Sequence, residues 1–90
     1  MVSKMELIRT QLEEFIEICK TYVDGTLFPE DVEISDLVFY ISLFFGSNET
    51  DNLNSFRNIL KMKSIQLNEY DELELFKLTM DFVGFVRNLR

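Results

Sequence analysis

Residues 37–46 read LVFYISLFFG, and the way this stretch folds decides the architecture of the chain. From Leu37 to Phe45, Ser42 is the one side chain that is neither aliphatic nor aromatic. A run of this kind suits a buried strand, a core helix or a membrane insert. It is far short of the ~20 apolar residues that span a bilayer as a helix. A strand would need pairing partners. No other segment alternates strictly or carries a β-branched run between turn signals, and Thr26-Leu27-Phe28 and residues 64–67 are too short to complete a sheet. The run closes on Gly46-Ser47-Asn48, residue types that stop one helix and start the next. The β-propensity of Val, Phe, Tyr and Ile pulls the other way. The balance predicts a helix over about 31–45, with Pro29 and Ser35 as alternative starting points.

The flanking sequence reads as three more helices. Apolar residues at 5, 8, 12, 15, 16, 19, 22 and 23 keep a 3–4 spacing and predict a helix over 3–23. Ser3 and Glu6 form a capping box, Val2 is placed to staple onto Leu7, and Asp24-Gly25 ends the element. A third helix is predicted over 49–63, capped by Asn48 or Thr50, with Leu53, Phe56, Ile59 and Leu60 as its stripe. A fourth is predicted over 69–89, capped by Asn68. Acids load its first turns and Arg87 and Arg90 its end, as the helix dipole favours. Its polar face is narrow, formed by Glu74, Lys77, Asp81, Gly84 and Asn88, so this helix should be central, contacted on two or three sides. The expected fold is all-α, a compact four-helix antiparallel bundle in one domain, residues 1–90.

Composition narrows the function classes. With 47% apolar residues and nine Phe, the chain has the material for a core and does not read as disordered. It has no histidine, so Cys/His zinc sites and His-based catalysis have no ligand or base to draw on. Its three glycines stand apart and form no phosphate loop. The acids at 30, 31, 33 and 36 lack the loop glycine and the terminal glutamate of an EF-hand. Glu13/Glu17 and the acids of 69–74 are spaced as solvated helix faces. Cys19 shares the apolar seam with Met5, Leu12 and Phe15 and reads as a small buried hydrophobe. A single cysteine makes no internal disulfide, which fits a reducing compartment. Glu6, Arg9, Glu13 and Glu14 interrupt any signal-like apolar stretch. The expectation is a cytoplasmic protein with no enzymatic activity, cofactor or metal, and no affinity for membrane.

Charge placement is the sharper signal. Net charge is −7, yet no Lys or Arg lies between Lys20 and Arg57. That interval holds Asp24, Glu30, Asp31, Glu33, Asp36, Glu49 and Asp51, while the acids and bases of the remainder balance. A field of one sign repels nucleic acid and attracts cationic partners. The same segment also reads as a solubilising loop.

On a helical wheel, Ile34, Leu37, Val38, Ile41, Phe44 and Phe45 share one face of the second helix, suited to docking on the bundle. Ser35, Asp36, Phe39, Ser42 and Leu43 lie opposite, with Tyr40 at the boundary. Phe39 and Leu43 are then ordinary exposed residues, or lie under the 26–33 connector, or form a contact patch with Tyr40 inside a rim of Asp31, Glu33 and Asp36. Aromatic anchors within a charged rim are common interface anatomy.

A likeness to a known group bears on that choice. YVDG at 22–25, FRNILKM at 56–62 and LNEYDELELFKLTM at 67–80, set around an acidic connector and a short second helix, resemble small acidic helical immunity proteins of bacterial toxin–immunity systems. The resemblance implies stoichiometric neutralisation of a cognate toxin, often a nuclease, by an acidic face. The expected partner is therefore a basic protein, a toxin or a nucleic-acid-binding protein. Two alternatives stand beside it: a phage-type inhibitor that imitates nucleic-acid charge, and a structural or adaptor domain that forms a homodimer through helix two.

Overall fold

Among the described residues three helices begin where a side chain accepts from a free amide of the first turn, and the second begins without such a bond. In a computed structural model, which describes residues 2–25, 27–28 and 32–89, α1 is Lys4–Lys20 and the Glu6 amide donates to Ser3 Oγ (3.1 Å). The second helix, α2, is Ile34–Phe44. The third, α3, is Glu49–Met62, and Asn48 caps it by accepting from the Asp51 amide (2.9 Å). The fourth, α4, is Glu69–Asn88, where Asn68 Oδ1 accepts from the Asp71 backbone amide (2.8 Å) and Asn68 Nδ2 donates to the Asp71 carboxylate (3.1 Å). The apolar run of 37–46 is thus helical, and no strand occurs among the described residues.

The helices alternate in direction. Tyr22 to Asp24, just beyond α1, border the same cavity as Lys63 to Gln66, just beyond α3. At the opposite end Asn52 of α3 and Arg87 of α4 both bond the chain leaving α2. The result is an all-α antiparallel bundle. α1 packs most extensively along α4 and next along α2. α4 also reaches α3, through Phe56–Phe76 ring contact (centroids 5.5 Å) and an Arg57–Glu72 ion pair. At its far end Arg87 bonds the carbonyls of Phe45 and Gly46. It is therefore central, as its narrow polar face predicts.

The core is a chain of rings. Phe15 of α1 stacks on Phe82 of α4 with centroids 5.2 Å apart. Phe28 fills the corner between them, 5.5 Å from Phe15 and 5.8 Å from Phe82. Tyr40 meets Phe28 edge-on at 5.6 Å, and Phe44 continues the row 4.6 Å from Tyr40. Tilted and edge-to-face pairs of this kind add modest attraction beyond burial. Thr79, fully buried on α4, donates to the Leu75 carbonyl (2.7 Å) and leaves no polar atom unsatisfied there.

Several boundaries differ from the sequence expectation. α1 stops at Lys20, three residues short of Val23, and a turn follows in which the Tyr22 and Val23 amides both donate to the Cys19 carbonyl. Thr21, Tyr22 and Val23 are poor helix formers, and Gly25 takes φ +127° in the connector instead of capping the helix. Met5, expected on the core stripe, is exposed, as is Val2, while Leu7 lies at the surface edge. Phe45 is buried, but it lies just past α2 with extended backbone. α2 begins at Ile34, with Glu33 as its N-cap residue. The candidate starts at Pro29 and Asp31 lie outside the described residues.

α3 ends in a Schellman turn: the Ile65 amide donates to the Leu60 carbonyl (2.9 Å) and the Ser64 amide to Lys61 (3.0 Å). Ser64 pays for this turn with φ +56°, a left-handed conformation that glycine adopts without penalty. Ser64→Gly is expected to stabilise the fold by up to about 1 kcal/mol, the strain relieved less the added freedom of the unfolded chain. A rise in the urea midpoint at unchanged slope is the readout. A lower midpoint would show that the serine side chain contributes more than its backbone costs.

Candidate functional site

The geometry of α2 follows from its two faces. Ile34, Leu37 and Ile41 are buried, and Val38 and Phe44 are half-buried against the core. This fixes the helix about its axis and turns the opposite face outward. Phe39 and Leu43 are 69% and 68% exposed, one turn apart, with Ser35, Asp36 and Ser42 exposed beside them. Ser42 Oγ donates back to the Val38 carbonyl (2.9 Å), so its hydroxyl turns toward the helix backbone. Asp36 stands three residues before Phe39 and seven before Leu43, on the same stripe. Glu33 is exposed at the helix N-terminus, where its charge opposes the partial positive end of α2.

Four of the six expected interface residues are therefore displayed together or at the adjoining helix end: Phe39, Leu43, Asp36 and Glu33. Tyr40 is not one of the outward anchors. Its ring is half-buried between Phe28 and Phe44, and burial raises its phenol above the ordinary tyrosine range. Asp31 lies outside the described residues.

The far end of α2 is clamped. The Gly46 amide donates to Asn52 Oδ1 (2.7 Å) and Asn52 Nδ2 donates back to the Gly46 carbonyl (2.9 Å). Arg87 Nη1 donates to the same carbonyl (3.0 Å), and its other terminal nitrogen donates to the Phe45 carbonyl. Together these side chains from α3 and α4 hold the segment that leaves α2. The outward direction of Phe39 and Leu43 is thus set at one end by a polar lock and along the helix by apolar burial.

A second surface was not anticipated from the sequence. A groove of about 600 Å³ lies between the start of α3 and the first three turns of α4. Leu53, Phe76 and Met80 supply apolar surface, and Tyr70 (73% exposed) and Leu73 (41% exposed) stand along it. Glu49, Glu74, Asp81 and Lys77 are its charged residues. The usable signal was the spacing of Tyr70, Leu73, Phe76 and Met80 on α4, which sets an apolar stripe beside the polar one. Reading α4 as contacted on two or three sides concealed it.

Among the described residues no group of three or more His, Cys, Asp or Glu is placed to hold a metal ion, and no helix is long and apolar enough to cross a membrane. Cys19 is buried. Comparison with known proteins finds no matching family, no similar curated protein and no similar solved structure.

Proposed function

We propose that this chain is a non-enzymatic binding module that neutralises a basic protein, as an immunity protein does for a bacterial toxin, in the cytoplasm. The observation that carries the reading is the outer face of α2. Two large apolar side chains stand a turn apart among serines and an aspartate. They do so within the interval that holds all of the net negative charge. An apolar pair desolvated at the centre supplies affinity, and the acids speed and orient encounter with a cationic surface.

The test is to mix the protein with the basic toxin or nuclease encoded beside its gene. Stoichiometric loss of the toxin's activity is expected. Phe39→Asp should weaken that inhibition at least about tenfold while shifting folding stability by no more than about 0.5 kcal/mol, since the side chain is exposed. Neutralising Glu33 and Asp36 should slow association and flatten its dependence on salt. A neighbouring toxin that keeps full activity in the presence of the protein would overturn the immunity reading.

The same apolar pair favours one other arrangement, a symmetric dimer seated on α2. Sedimentation at tens of micromolar separates the two: a clean monomer removes the dimer and leaves Phe39 and Leu43 for a different protein.

A further inference from the structure

We infer that the groove between α3 and α4 is a second docking site, separate from the α2 face, for a cationic amphipathic helix of a partner protein. Its dimensions suit such an occupant. From Tyr70 to Asp81 the groove follows about 16 Å of helix axis, or three turns. Its volume of about 600 Å³ takes several large side chains. Helices that dock in grooves present apolar residues at i, i+3, i+4 and i+7 over about two to three turns, and the groove offers a matching track of apolar surface.

The residues suit recognition rather than incidental exposure. Leu53 and Met80 are half-buried and Phe76 is buried, so the floor is fixed by the core. Tyr70 and Leu73 are left uncovered on the outer turns of α4. Methionine and tyrosine are suited to the edge of a docking surface, the first because its chain adapts, the second because it joins a flat apolar ring to a polar tip. The charge selects the occupant. Glu49, Glu74 and Asp81 set three carboxylates around the groove against the single ammonium of Lys77. Glu49 also belongs to the base-free interval of the chain, so the negative field extends to the mouth of this groove. An apolar helix flanked by Lys or Arg gains from that field, and one flanked by Glu is repelled.

The probe is a synthetic peptide of about three helical turns, with leucines on one face and lysines on the other, titrated into the isotope-labelled protein at low salt. Saturable binding is expected, with amide shifts concentrated at Leu53, Tyr70, Leu73, Lys77 and Met80. A peptide with glutamate in place of each lysine should bind at least about tenfold more weakly. Leu73→Asn should weaken the lysine peptide by a similar factor, and a thermal melt run alongside checks that the variant stays folded. Tyr70→Ser, at a more exposed position, provides a second variant should Leu73→Asn unfold. Phe39→Asp should leave peptide binding unchanged, which separates this site from the α2 face. The proposal is overturned if the shifts gather around Phe39 and Leu43, if the glutamate peptide binds equally well, or if no saturation is reached at millimolar peptide.

Discussion

Phe28→Ala is expected to destabilise the protein by about 3–5 kcal/mol, a large part of the margin by which a small domain stays folded. The reason lies in where the ring sits. Phe28 comes from the connector, not from a helix, and is fully buried. Its centroid is within 6 Å of three other rings, at 5.5 Å from Phe15, 5.6 Å from Tyr40 and 5.8 Å from Phe82. Those rings belong to α1, α2 and α4 respectively, so a single side chain joins three helices. Alanine at this position would lose the transfer energy of the ring and open a cavity that three helices would have to close together. Urea denaturation measures the change as a lower midpoint. Phe28→Leu keeps much of the volume and should cost less than about half as much. A cost below about 1 kcal/mol for the alanine variant would mean that the connector does not hold its place in the folded state. The α2 face would then lose its inner support, because Tyr40 rests its edge on Phe28.

Phe28 also marks where sequence reading ran out. Periodicity identifies helices, and for α1, α3 and α4 capping residues agree with the apolar stripes on where they start, whereas the start of α2 has no side-chain cap to mark it. Ser3, Asn48 and Asn68 each cap as their spacing indicates. Residues outside a repeating element have no period to read. Leu27 and Phe28 therefore passed as part of a loop, although both are fully buried. The same limit applies to Phe45, which helical phase placed on α2 but which reaches the core from extended backbone. The half-burial of Tyr40 was hidden for a related reason. A wheel gives its angle on the helix, but which neighbour covers a boundary position depends on the connector's path. Phe39 and Leu43 were legible because polar residues on both sides of them fix the solvent face. The α3–α4 groove was not, since a gap between two helices depends on how far apart bulky core residues such as Phe56 and Phe76 hold them.

Asn52→Ala is the other substitution expected to act strongly, at about 2–3 kcal/mol. Asn52 is buried on α3 (7% exposed), and its amide exchanges two hydrogen bonds with the backbone of Gly46. Alanine removes both partners at once. The Gly46 carbonyl keeps its bond from Arg87, but the Gly46 amide loses its acceptor in a partly buried setting. An orphaned donor costs more than the net worth of the bond that satisfied it. Asn52→Asp distinguishes this from simple loss of side-chain volume. Aspartate keeps an acceptor for the Gly46 amide, but at neutral pH it turns a carboxylate oxygen toward the Gly46 carbonyl in place of the donor. Its destabilisation should be at least as large as that of alanine at pH 7. It should shrink as the pH falls through the carboxylate range, where the protonated acid donates again. An aspartate variant as stable as the wild type at pH 7 would show that the exchange with Gly46 is not what holds the loop. The consequence for binding follows from the geometry. The Asn52–Gly46 pair and Arg87 fix the end of α2 that lies nearest Leu43. Ser47, next in the chain, lines the mouth of the α3–α4 groove. Releasing this loop should therefore weaken binding at both surfaces although Asn52 touches no partner at the α2 face, and at temperatures where the variant remains folded the loss should appear mainly as faster dissociation.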